Sequence, residues 1–260
     1  MKIQNFLMLV LLLIFTSCNS KKKEVINEVN QLMVAESENS KDNKEEDVKT
    51  ENDETASDLK SFKFCDKTAY VTKSTKAEFE KLSSQSYSLD ETKNLEKEKD
   101  LVARIGDSLI FKLANEKMTY LVNNVGEGVE DEYIKFQFLG NLQHSRQMVL
   151  NISFFEGGEY WMVDSSSGDT TRVFGYPVVS SDKTMMLVGS AGLEGGYIFN
   201  GFELYNNSSP LTKICSIELY NWGPEEIRWI DNSSIIAKST VFDKNAESLF
   251  ITEYLKVSWQ

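Results

Sequence analysis

The chain has one histidine, His144, within Gly140-Asn141-Leu142-Gln143-His144-Ser145-Arg146, a polar stretch between two apolar runs. A catalytic or metal-bound histidine needs partners, and there is neither a second His nor a Cys cluster with ligand spacing, so an exposed turn residue is expected. Ser180-Ser181-Asp182-Lys183 spells S-x-x-K. A lysine activates that serine only when a helix sets both on one face, and the following Met185-Met186-Leu187-Val188 reads as a strand. Glu127, Glu130, Asp131 and Glu132 crowd four carboxylates into six residues without the alternating D-x-D-x-D-G spacing of a calcium loop, which predicts a solvated acidic turn. No metal and no cofactor is expected. Two carboxylate pairs, Glu194 with Glu203 and Glu225 with Glu226, have the residue types of a carbohydrate-acting enzyme, provided that folding sets them about 5 Å or more apart. The stronger candidate binding surface is Gly189 to Gly201, where four glycines precede Tyr197 in a connection longer than a hairpin needs. Glu194, Tyr197, Phe199 and Asn200 there, with Trp222 in the aromatic turn Tyr220-Asn221-Trp222-Gly223-Pro224, offer stacking and hydrogen bonds to a sugar, peptide or protein. The alternative is that these aromatic residues plug the end of a β-core.

Positioning such groups falls to a mostly β chain. Apolar or alternating segments run at Leu109 to Leu113, Met118 to Val122, Tyr133 to Phe138, Met148 to Phe155, Tyr160 to Val163, Arg172 to Phe174, Met185 to Val188, Phe202 to Tyr205, Ile214 to Leu219, Ile235 to Lys238 and Phe250 to Val257. Glu156-Gly157-Gly158-Glu159 predicts a tight hairpin. Upstream, Thr75-Lys76-Ala77-Glu78 has capping-box spacing and predicts a short helix over about Ser74 to Ser83, with a second over Glu91 to Lys99.

The N-terminus carries a different signal. Lys2 precedes ten apolar residues, Phe6 to Phe15, the length of a signal-peptide core and too short to cross a bilayer. The run closes as Leu13-Ile14-Phe15-Thr16-Ser17-Cys18, which resembles the lipobox of bacterial lipoproteins. That resemblance implies removal of residues 1–17, acylation of Cys18 and a membrane tether through several acyl chains. Asn19 is not the Asp that retains some lipoproteins in the inner membrane, so the expected place is the cell envelope, at the outer membrane facing the periplasm. Competing readings are an ordinary signal peptide and a short membrane anchor.

Between Phe15 and Phe62 there is no aromatic residue, and Ala35 to Lys60 holds ten acidic and four basic side chains, a net −6 of the chain's −12. Such a segment cannot bury enough apolar surface to offset its ordering entropy, which predicts a disordered acidic tether over 18–60. The acidity, with no basic cluster beyond Lys21-Lys22-Lys23, argues against nucleic acid as a partner; that triplet sits directly beside the expected anchor, where it meets lipid head groups or acts as a spacer. Residues 61–260 have the composition of one folded domain. With Cys18 acylated, Cys65 and Cys215 form an even pair in an oxidising space, either bridged or two buried thiols.

Asp182-Lys183-Thr184-Met185-Met186-Leu187-Val188 can be laid over Asp231-Asn232-Ser233-Ser234-Ile235-Ile236-Ala237, an offset of 49 residues. Four short strands per 40 to 50 residues is the grammar of a propeller blade. Pro177 to Thr184 resembles the SPDGK turn of TolB-type and other WD40-like β-propeller repeats, with Ser181 in place of Pro and Lys183 in place of Gly. Tyr160 to Asp164, Gly175 to Thr184, Leu193 to Tyr205 and Trp222 to Trp229 resemble uncharacterised bacterial secreted proteins with a propeller-like C-terminal half, over about 100 of 260 residues. The resemblance implies fold and compartment and brings no reaction with it. The expectation is therefore an all-β, propeller-like antiparallel meander with a β-sandwich as alternative. It would serve as a non-enzymatic binding or scaffolding module for an envelope protein or glycan, the alternative being a carbohydrate-acting enzyme.

Overall fold

The computed structural model describes residues 60–260, apart from 127, 129, 143 and 194–197. The expected signal at 1–17, Cys18 and, except for Lys60, the expected tether at 18–60 lie outside the described residues.

The described chain opens with a hairpin that residue patterning did not single out, β1 (Ser61–Phe64) and β2 (Lys67–Lys73). Phe64 pairs with Lys67 across a two-residue turn, in which Cys65 takes φ 58°, the positive φ that such turns demand. Helix α1 (Lys76–Lys81) follows, with Thr75 and Glu78 closing the expected capping box, and then α2 (Glu91–Lys97), capped by Asp90. Both helices are shorter than the sequence suggested.

Among the described residues fourteen further strands complete the meander. They are β3 (Val102–Ile105), β4 (Ser108–Lys112), β5 (Met118–Val122), β6 (Ile134–Leu142), β7 (Gln147–Phe154), β8 (Gly158–Asp164), β9 (Thr170–Val173), β10 (Tyr176–Val179), β11 (Met185–Ser190), β12 (Gly201–Asn206), β13 (Thr212–Glu218), β14 (Trp222–Asp231), β15 (Ser234–Phe242) and β16 (Phe250–Trp259). Among the described residues they form four antiparallel sheets, β3 to β5, β6 to β9, β10 to β13, and a terminal sheet ordered β1-β2-β16-β15-β14. The all-β expectation holds. The N-terminal hairpin zips onto the last strand, Leu255 to Trp259 of β16 pairing with Lys73 to Ala69 of β2, so the two ends of the domain share one sheet.

Burial explains which segments read as unbroken apolar runs. Met148 and Leu150 of β7 face the β3–β5 sheet, while Val149 between them faces the β10–β13 sheet. In β11, Met186 and Val188 point back to β6–β9 and Leu187 points on to the terminal sheet. Because successive strand residues face opposite ways, a sheet buried on both faces loses its polar alternation. The terminal core gathers Phe62, Phe64, Phe202, Trp222, Trp229 and Trp259, with ring centroids of neighbouring members 5.7 to 6.4 Å apart.

The 49-residue offset has a structural counterpart. Asp182 accepts from the Thr184 amide and hydroxyl at 3.0 and 2.8 Å, and Asp231 accepts from the Ser233 amide and hydroxyl at 2.7 and 3.0 Å. These are equivalent turns between the first and second strands of adjacent sheets, and they touch: Asn232 Nδ2 donates to Asp182 at 2.7 Å. The β3–β5 sheet breaks the pattern. Its β4–β5 turn meets the β8–β9 turn through Ala114 N donating to Ser165 O, while Asn124 beyond β5 bridges to Ile134 at the opposite end. Its first strand therefore runs opposite to β6, and it packs face to face on the β6–β9 sheet around Phe111, Phe136, Phe138 and Trp161.

Asp164 ties two sheets together at the turn end. Its carboxylate accepts from the Ser166 and Ser167 amides at 2.7 and 3.2 Å, from Gln147 Nε2 at 3.1 Å and from Ser209 Oγ at 2.6 Å. Burial pushes this carboxyl up, but the four hydrogen bonds together hold it below the ordinary aspartate value near 3.8. A depressed folded-state pKa contributes stability that is present above the unfolded value and lost as pH falls through the folded one. Asp164→Asn is expected to cost about 1.5–3 kcal/mol at pH 7, the range for hydrogen bonds to charged groups. Urea melts of variant and wild type should converge below the ordinary aspartate range; a gap that persists there would show that charge is not the cause.

Candidate functional site

The residues between the two helices, 83 to 90, run as a strap past three outer strands, β14, β10 and β6. From β14, Arg228 Nη1 donates to the carbonyls of Phe79 and Leu82, both at 3.2 Å, with its guanidinium 4.1 Å from the Phe79 ring centre. Gln85 then imitates a strand: its Nε2 donates to Val179 O at 2.5 Å and its Oε1 accepts from Val179 N at 2.8 Å, occupying the outer edge of β10. The Tyr87 amide donates to the Tyr176 hydroxyl. Leu89 O accepts from Gln137 at 2.8 Å, and the Glu91 carboxylate accepts from Phe138 N at 2.7 Å while held by Arg104 at 2.7 and 2.8 Å. Asn94 completes this edge by donating to Phe138 O at 3.2 Å. An unpaired strand edge invites pairing with another chain, and these side chains satisfy the backbone of Val179 on β10 and of Phe138 on β6 within the molecule.

Beneath the strap lies a cleft of ≈ 510 Å³, walled by the strap, β8, β10, β11, β14 and β15. Tyr87, Tyr160 and Tyr176 form its aromatic side, the Tyr87–Tyr176 centroids 4.9 Å apart and the Tyr160–Tyr176 centroids 5.8 Å apart. Burial pushes all three phenols up, so they stay neutral across the physiological range. The opposite side is charged. The pairing of β14 with β15 slips between Pro224 and Glu226, leaving Glu225 as the extra residue of a bulge, and both Glu225 and Glu226 reach the cleft although consecutive strand residues ordinarily face apart.

Each of these acids has a cation. Glu225 is bonded by Lys238 at 2.5 Å and by Thr240; burial raises its pKa, but these two bonds outweigh burial and hold it below the usual glutamate range. The same contact pushes Lys238 up. Glu226 meets Arg228 at 2.8 Å. A general acid in glycoside hydrolysis needs a raised carboxyl pKa, and Glu225 is shifted the other way. Glu203 is almost fully buried at 1 % side-chain exposure and paired with Lys213 at 2.5 Å. Its proposed partner Glu194 lies outside the described residues. What the cleft offers is three phenol rings, Tyr87 and Tyr160 set at 52° and 82° to the plane of Tyr176, together with donors and acceptors fixed by their own ion pairs.

The sequence candidates fall elsewhere, and two of them are framework. Trp222 has 0 % exposure in the terminal core and has no surface to offer a ligand. Asn200 is buried, with its amide donating to Leu219 O at 2.5 Å and Trp222 O at 2.9 Å and accepting from Gly192 N at 3.1 Å, so it splices three loop segments. Phe199 stacks on Phe174 with centroids 5.1 Å apart at the end of the β-core. Tyr197, like Glu194, lies outside the described residues. His144 is exposed, and Ser180 and Lys183 occupy the β10–β11 turn, with Ser180 Oγ bonded to Asp182 at 2.7 Å. Among the described residues no three His, Cys, Asp or Glu side chains converge to hold a metal, and no helix is long and apolar enough to cross a membrane. Ser84-Gln85-Ser86-Tyr87 has no periodic signal. Its one sequence signal is Gln85 and Tyr87 standing in a polar linker between two capped helices.

Cys65 and Cys215 are disulfide-bonded, with Cα atoms 5.5 Å apart across a separation of 150 residues. The bridge joins the β1–β2 turn to β13. Compared with known proteins, the chain matches no family model, no curated protein and no solved structure.

Proposed function

We propose that this chain is an envelope lipoprotein, anchored through acylated Cys18, whose β-rich domain is a non-enzymatic binding module for a periplasmic glycan or protein. The observation that carries the reading is the Cys65–Cys215 disulfide. Structural disulfides persist in oxidising compartments and are rare in the cytosol, which agrees with the lipobox-like Leu13 to Cys18. Outer-membrane placement follows from Asn19 after the acylated cysteine, and the acidic segment before residue 60 serves as the leash. The four-strand meanders β6–β9 and β10–β13, with their first strands against the strap, support the propeller-like reading with its TolB-type resemblance; the reversed β3–β5 sheet favours the β-sandwich alternative. Binding rather than catalysis is favoured because Glu203, Glu225 and Glu226 all sit in ion pairs.

Metabolic labelling with an alkyne-tagged palmitate tests the anchor. Wild type is expected to carry the label and fractionate with membranes, and Cys18→Ala to lose both. An unlabelled wild type that fractionates like the variant would defeat the assignment.

A further inference from the structure

We infer that the cleft beneath the strap is a site for a neutral saccharide of two or three rings. This deepens the binding-module reading and rests on it. A volume of ≈ 510 Å³ falls within the range of small-ligand pockets. It is too small for a helix or a folded partner.

The lining selects the chemistry. An extended peptide would need a free strand edge to pair with, and the Gln85 side chain already holds both backbone groups of Val179 on β10. An ionic ligand would need an uncompensated opposite charge, whereas Glu225 is matched by Lys238 and Glu226 by Arg228. A purely apolar chain would strip water from the Ser84 and Ser86 hydroxyls and from the remaining faces of the Glu225–Lys238 pair without replacing its hydrogen bonds. What remains is a ligand that is uncharged, rich in hydroxyls and flat on one apolar face. A pyranose ring has those properties, laying its C–H face on Tyr160 or Tyr176 while its hydroxyls meet the cleft's donors and acceptors. The donors and acceptors are set in advance: Lys238 and Thr240 fix Glu225, so binding need not order it.

The test uses detergent-solubilised full-length protein, titrated by calorimetry with maltotriose, cellotriose and N,N′,N″-triacetylchitotriose, and with sialyllactose and a tri-lysine peptide as charged controls. At least one neutral trisaccharide is expected to bind saturably. Tyr160→Ala should weaken it at least tenfold, and Ser86→Trp, which fills the cleft from an exposed strap position, should abolish it with the melting temperature unchanged. Because Tyr160→Ala removes a half-buried ring, Ser86→Trp keeps the idea testable if that variant unfolds. Three results would overturn the inference: no neutral trisaccharide binding at 10 mM, binding indifferent to Ser86→Trp, or preference for a charged control. If the saccharides are silent while cross-linked envelopes yield one dominant protein lost in Ser86→Trp, the saccharide class fails and the binding-module reading survives. Silence in both arms sinks both.

Discussion

Replacing both bridge cysteines, Cys65→Ser with Cys215→Ser, is expected to lower unfolding stability by about 2–5 kcal/mol, toward the upper end because the closed loop is long. The bridge spans 150 residues, so in the chain-entropy account its removal releases a large loop into the unfolded ensemble. The native side matters as well. Cys65 sits in the turn of an outer hairpin whose β-sheet partner is β16, and Cys215 lies on β13, the outer strand of a different sheet. The covalent link therefore spans two sheets that otherwise meet through side-chain packing. Urea denaturation with and without dithiothreitol reads the effect: reduced wild type should match the double variant, and the oxidised protein should stand apart from both. Coincident curves for all three would mean that the bridge contributes nothing to folding.

Trp222→Ala should be comparably severe, about 3–5 kcal/mol, the range for deleting a large aromatic side chain from a packed core. Trp222 has 0 % exposure and lies with ring centroids 5.7 Å from Phe202 and 6.3 Å from Phe62, so its loss opens a cavity where the terminal sheet, the β10–β13 sheet and the N-terminal hairpin converge. The same variant separates two roles for this residue. A surface aromatic that binds ligand would change affinity and leave the melt unmoved, whereas a core residue shifts the denaturation midpoint by itself. A Trp222→Ala protein with wild-type stability would refute the core assignment. The two changes also share contacts through Phe62 and Phe64 of β1, so their costs are not expected to add.

Local chemistry was legible in the chain. Thr75 and Glu78 form the capping box that their spacing implied, since that interaction closes within four residues. The Asp-led turns at 182 and 231 adopt the same hydrogen bonds because each aspartate satisfies backbone two residues on. Strands such as Met118–Val122 and Met185–Ser190 followed from apolar patterning. The β1–β2 hairpin was not legible, because Lys67, Thr68, Thr72 and Lys73 leave only Ala69 and Val71 as buried apolar positions in β2. Strand β14 was missed because Pro224 and the Glu225 bulge interrupt it.

By itself, then, the amino-acid order determined an all-β domain, its two capped helices, its turn residues and the lipobox-like start from which an envelope address is proposed. Tertiary structure alone decided which cysteine, which edge and which acid meet: the Cys65–Cys215 bond, Gln85 on the edge of β10, and Lys238 on Glu225. It also added a candidate site at the strap, which the Gly189 to Gly201 reading had not included. The physical reason is range. Capping, turn formation and face alternation are governed by neighbours a few residues away, whereas a cleft forms where segments as far apart as Tyr87 and Lys238 pack together, and no local pattern encodes that encounter.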